Sequence, residues 1–217
     1  MKTPSPFRRP FAALLPAVIA TAALGGCAVG APAQVSPSGA AASRLDPTTE
    51  NLSWDNGNRI LGDENGGHTP DVGTSLGDPT SGWQTDNSSV ATDGVTTFTA
   101  QKTQCKVRTT QMRNQPSELV AGDDRASTLK VLSILAPGEK DLVASAKDTT
   151  LGYGAAGIHD VAMLSVSFQS GSTYDFTAIR TFNKPAVTIE VEAICPTLDT
   201  LKSTWSEIHK STTINAL

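Results

Sequence analysis

From Val95 to the C-terminus the apolar positions follow two rhythms, one of period two and one close to 3.6. Val95–Ala100 and Cys105–Gln111 are rich in Thr and β-branched residues and stand four polar residues apart, which predicts a hairpin. Leu129, Leu132 and Leu135 recur at helical spacing after Asp123 and Asp124, either of which can cap the helix that Pro137-Gly138 then stops. Ala162–Phe168 alternates through Leu164 and Val166 before a turn at Gln169-Ser170-Gly171-Ser172. Tyr174, Phe176, Ala178 and Phe182 continue that alternation, interrupted at Arg180, as far as a turn at Asn183-Lys184-Pro185. Val187, Ile189, Val191, Ala193 and Cys195 share one face of the next strand, with Thr188, Glu190 and Glu192 opposite. After Pro196, Leu198, Leu201, Trp205 and Ile208 mark an amphipathic helix.

The order strand, strand, helix, three strands, helix predicts an α+β fold. An antiparallel sheet of about five strands turns one face to water, and two helices pack together on its other face. The order resembles that of the PsbP-like domains of small bacterial lipoproteins, a resemblance of element order from about Val95 onward with no diagnostic motif.

The N-terminus follows another logic. Lys2, Arg8 and Arg9 precede an apolar run from Phe11 to Leu24, the charged and apolar regions of an export signal. Fourteen residues make about 21 Å of helix, short of the roughly 30 Å hydrocarbon core, so a permanent transmembrane span is disfavoured. The run ends in Leu24-Gly25-Gly26-Cys27, which resembles a bacterial lipobox. That resemblance implies cleavage before Cys27 and acylation of its sulfur and new amino group. The competing reading is an ordinary signal cleaved after Ala31-Pro32-Ala33, nine residues beyond the apolar run. Arg8-Arg9-Pro10-Phe11 resembles a twin-arginine signal, although a pair of arginines also suits any n-region.

With Cys27 assigned to lipid, Cys105 and Cys195 are the remaining pair, and in an oxidising compartment an even remainder suggests one disulfide. Two buried free thiols are the alternative. Residues 1–26 thus read as signal peptide and 27–51, rich in Ala, Pro, Ser and Thr, as a disordered tether spanning about 25 to 30 Å. Residues 52–94 read as an acidic lead-in dense in Gly, Asn and Asp, and 95–217 as the globular domain. Between Ala28 and Gly94 nine acids face two bases, Arg44 and Arg59, whereas from Val95 onward twelve acids balance twelve bases. Without a basic face, nucleic acid and a polybasic grip on anionic lipid are both disfavoured.

Several short motifs compete with plainer explanations. Gly73-Thr74-Ser75-Leu76-Gly77 matches the nucleophile elbow, which needs a strand before the serine and a helix after it. Here Pro70 and Pro79 flank it, and a Gly-rich loop is the simpler reading. Gly152-Tyr153-Gly154-Ala155-Ala156-Gly157 matches a dinucleotide-binding pattern, but a strand rather than a helix follows, which suits a permissive loop. His68, His159 and His209 lie far apart, and nothing makes them converge on a metal. His159 reads as part of a solvated loop, with pairing to Asp160 as the alternative. His209 sits where its charged form would favour a helix C-terminus. Asp55-Asn56-Gly57-Asn58 and Asp63-Glu64-Asn65-Gly66-Gly67 hint at calcium yet lack its alternating ligands, so Asx turns are preferred. Arg180 could meet a ligand carboxylate, snorkel past Phe182 to water, or pair with Glu190 or Asp175.

The expected function is a non-catalytic binding or interaction module, lipid-anchored on the extracytoplasmic side of the cell membrane, with no cofactor and no metal. Its partner would be a small molecule or an envelope protein. A small hydrolase using Ser75 with a histidine, or a secreted protein cleaved after Ala33, are the alternatives.

Overall fold

The computed structural model describes residues 45–46, 49–61, 67–154 and 159–216. Among them, nine strands form one curled sheet, a half-barrel. They are β1 (Asp71–Thr74), β2 (Trp83–Asp86), β3 (Val95–Ala100), β4 (Lys106–Arg113), β5 (Lys147–Tyr153), β6 (Asp160–Ser170), β7 (Thr173–Phe182), β8 (Val187–Cys195) and β9 (Thr212–Asn215). Their order across the sheet is β1-β9-β5-β6-β7-β8-β4-β3-β2, with every neighbour antiparallel except the β5–β9 pair. Four short helices accompany it: α1 (Val90–Asp93), α2 (Asp124–Leu135), α3 (Lys140–Ala144) and α4 (Leu198–Ser211).

The hairpin β3–β4, the meander β6–β7–β8 and helices α2 and α4 form where the apolar rhythm predicts them. The sheet of about five strands does not, because β1, β2, β5 and β9 extend it. Nor do two helices share one face. On β7 and β8 the residues Ala178, Phe182, Val187, Ile189, Val191 and Ala193 form a large core with Leu201 and Ile208 of α4. The alternate residue Ile179, with Leu164 of β6, packs instead against Val131 and Leu135 of α2. Successive strand side chains point to opposite faces, so α4 and α2 cover opposite sides of the same strands. The face read as wet is therefore largely dry: Thr181, Thr188, Glu190 and Glu192 are all buried on the α2 side.

The lead-in also departs from its reading as loop. Leu52, Ile60, Leu76 and Trp83 are too widely spaced to register as periodic, yet all four are buried in the main core. Leu52 takes a decisive position. The β6–β7 ladder stops at Leu164↔Ile179, after which β6 continues beside β5 and β7 beside β8. Into the split comes Leu52, whose N–H donates to the Asp160 carbonyl and whose carbonyl accepts from the Ala162 N–H. Leu52 joins the core on the α4 side while Trp54, two residues on, packs on the α2 side. The segment thus passes through the sheet between β6 and β7.

Candidate functional site

The split is filled by Arg180. By parity its side chain leaves β7 on the α4 side, and its guanidinium then lies in the gap where β6 and β7 part. Nη1 donates to the carbonyls of Leu52 (3.0 Å) and Ala162 (2.9 Å), and Nη2 to the Ser53 carbonyl (3.0 Å) and Asp124 Oδ2 (2.8 Å). The rings of Trp54 and Phe182 flank it at 4.8 and 5.0 Å. Burial pushes the Arg180 guanidinium down, and the Asp124 carboxylate opposes that shift. Asp124 is the first residue of α2, while its neighbour Asp123 is the cap, accepting from the Ala126 N–H. Freed from capping, Asp124 also accepts from the Asn183 N–H. Gly57 closes the site from outside, and a Cβ there would overlap Asp124 Oδ2. Arg180 therefore neither snorkels to water nor pairs with Glu190 or Asp175. It is fully buried and joins three chain segments distant in sequence, and Asp124 meets it because the sheet splits there.

Glu190 and Asp175 belong to a second charged group on the α2 side of β4, β7 and β8. Glu192 stands opposite Arg108 on β4 and opposite Thr177 on β7, and Glu190 lies two residues away on the same strand. Asp175 is diagonal to Glu192 across the β7–β8 ladder. Only 3 %, 5 % and 2 % of Asp175, Glu190 and Glu192 is exposed, and Arg108 Nη1 donates to Glu192 Oε2 at 2.9 Å. Glu192 Oε1 and Thr177 Oγ1 are buried without a hydrogen-bond partner among the described residues. Burial first, and repulsion from Glu192 second, push Asp175 up to about 6 and Glu190 up to about 8, with Arg108 acting the other way. Glu192 is raised by burial too, and Arg108 counters it. The signal for this group was present in the alternating Glu190 and Glu192, but an edge-on reading of one strand assigns both to water.

Cys105 and Cys195 meet at one end of the β4–β8 pair, with Cα atoms 4.3 Å apart, and are joined by a disulfide. Cys27, the arginine pair and Ala33 lie outside the described residues. Ser75 is exposed on a 3₁₀ turn directly after β1, with no longer helix behind it. The histidines contact other groups. His68 pairs with Asp71, His159 Nδ1 lies 3.2 Å from Asn51 Oδ1, and the His209 ring meets Trp205 edge-on. Gly152 lies within β5 and Gly154 just beyond it, correcting the loop reading. The Gly154 N–H donates to the Ile214 carbonyl and a Cβ there would overlap Asn215, so this glycine lets β9 approach. Gly57–Arg59 form a 3₁₀ turn, with the Asn56 side chain donating to the Asn51 carbonyl. Asp63 to Gly66 and Ala155 to Gly157 lie outside the described residues.

Between α2 and α3 runs an open groove of about 630 Å³, lined by Leu129, Ala136 and Val143 together with Arg125, Glu139 and Lys140. Among the described residues, no three His, Cys, Asp or Glu side chains converge in a metal-ligating arrangement, and no helix is long and apolar enough to cross a membrane. No protein family, no curated protein and no solved structure matches this chain.

Proposed function

We propose that this chain is a lipid-anchored binding module of the bacterial cell envelope, held on the extracytoplasmic side through Cys27 and serving a non-catalytic role toward a small molecule or an envelope protein. The observation that carries this reading is the division of the three cysteines. Cys105 and Cys195 are joined to one another, which leaves Cys27, inside Leu24-Gly25-Gly26-Cys27, as the one cysteine outside that pair. A disulfide in the body of the domain fits the oxidising compartment to which such a signal leads. Each acyl methylene buried in the bilayer contributes about 0.8 kcal/mol, so the two or more chains of a lipoprotein anchor hold firmly. The non-catalytic role is supported by the setting of Ser75, which opens a three-residue 3₁₀ turn where a nucleophile elbow needs a full helix behind the serine.

Intact mass of the protein recovered from membranes, with and without Cys27→Ala, tests the anchor. The expected result is a diacylglyceryl mass on a chain beginning at Cys27, and loss of that mass with release into the medium for the variant. An unacylated chain beginning at Gln34 would overturn the reading in favour of a secreted product.

A further inference from the structure

The group around Glu190 is short of positive charge. Three carboxyls lie on one sheet face, each at most 5 % exposed, and one guanidinium, Arg108, stands among them. The other groups facing them do not change the balance. On β4 the same face carries the exposed Lys106, then Thr110 and Met112; on β3 it carries Val95, Thr97 and Thr99; on β6, Val166 and Phe168. Asp86 on β2 is another acid at the far end of the Arg108 row. From α2 come the apolar Leu129, Val131 and Leu135, together with Thr128, whose hydroxyl accepts from the Thr181 N–H, and Asp124, whose charge is taken up by Arg180. Ionising every carboxyl would leave two uncompensated negative charges in a water-poor site, and a buried charge without a partner is costly. Protonation removes that cost and supplies a donor, which the orphaned Glu192 Oε1 and Thr177 Oγ1 can accept.

We propose that Asp175, Glu190 and Glu192 form a proton-operated switch: the sheet around β8 stands closed while the group keeps a proton and loosens when its carboxyls ionise together. The direction follows from linkage. A carboxyl raised in the folded state binds a proton that the unfolded chain has released, so its stabilisation is full below the ordinary carboxyl range and is lost as pH rises toward the folded value. For Glu190 that window runs from 4.5 to about 8, and for Asp175 from 3.8 to about 6. The carboxyls held low by partners, Glu50, Asp86 and Asp148, act in the opposite sense but below this window.

Denaturant unfolding at pH 5 and at pH 8.5, followed by tryptophan fluorescence, tests the switch on the wild type, on Glu190→Gln and on the surface control Glu139→Gln. The wild-type folding constant is expected to fall about tenfold or more between the two pH values, the equivalent of one unit of raised carboxyl pKa. Glu190→Gln, which mimics the protonated acid, should lose most of that fall, and Glu139→Gln should keep it. Amide exchange along β8 in the wild type should quicken over the same interval beyond the intrinsic effect of pH. A wild-type folding constant that is flat or rises with pH would overturn the proposal, whether or not the variant folds. So would an unchanged fall in Glu190→Gln, or a fall abolished by millimolar calcium, which would assign the group to a cation.

Discussion

Two charged groups are buried on the same strands of this sheet and are solved in opposite ways. Arg180 has one acid, Asp124, and three backbone carbonyls around a single guanidinium, so its charge is matched, and of its donor nitrogens only Nε lacks a partner among the described residues. Asp175, Glu190 and Glu192 share one guanidinium, and beside it Glu192 Oε1 and Thr177 Oγ1 are buried without partners among the described residues. Burial alone does not separate them, since both are almost wholly covered. The count of opposite charges does. Where it balances, a buried charge fixes the path of the chain; where it falls short, the proton becomes the missing partner and stability acquires a pH dependence.

The comparison can be broken hardest at its balanced end. Arg180→Met keeps a long side chain but leaves Asp124 buried without its counterion and takes a donor from each of three carbonyls, and it should cost about 3–5 kcal/mol of unfolding free energy measured in urea. A loss below about 1 kcal/mol would mean that water replaces the guanidinium in the split. Gly57→Ala leaves every charge in place and pushes a methyl group onto Asp124, so it should cost about 1–3 kcal/mol by overpacking and lower the thermal midpoint accordingly. If thermal denaturation shows no change, the turn at Gly57 does not hold the ion pair shut. The smallest effect belongs to Asp123→Ala, which removes the α2 cap and should cost about 1 kcal/mol, read by the same denaturant curves. Because α2 delivers Asp124 to Arg180, the loss from Asp123→Ala should shrink in an Arg180→Met background, and additivity of the two would argue against that coupling.

Legibility followed the strength of local periodicity. The strand Val187–Cys195 and the helix from Leu198 announce themselves because each apolar residue has like neighbours at the right spacing. β5 was missed because it begins Lys147-Asp148-Thr149-Thr150, and its apolar members, Leu151 and Tyr153, gain meaning only beside β6 and β9. The lead-in was missed for a related reason: single apolar residues such as Leu52 and Ile60 carry no period, yet each fills a place that distant strands leave open. The disulfide was readable as a pairing by elimination. The two charged groups were not, because Arg180 and Asp124 are distant in sequence and the fate of Glu190 depends on what covers its strand.

By itself the sequence determined the meander, the two longer helices and the disulfide partners, since all of these rest on order and spacing along the chain. Only the tertiary structure decided that the helices take opposite faces, that the lead-in crosses the sheet between β6 and β7, and which buried charges find a counterion. The physical reason is that burial and charge pairing belong to surfaces brought together from far apart. A strand carries its alternation wherever it goes, but whether an outward glutamate meets water or a neighbour is settled by the rest of the fold.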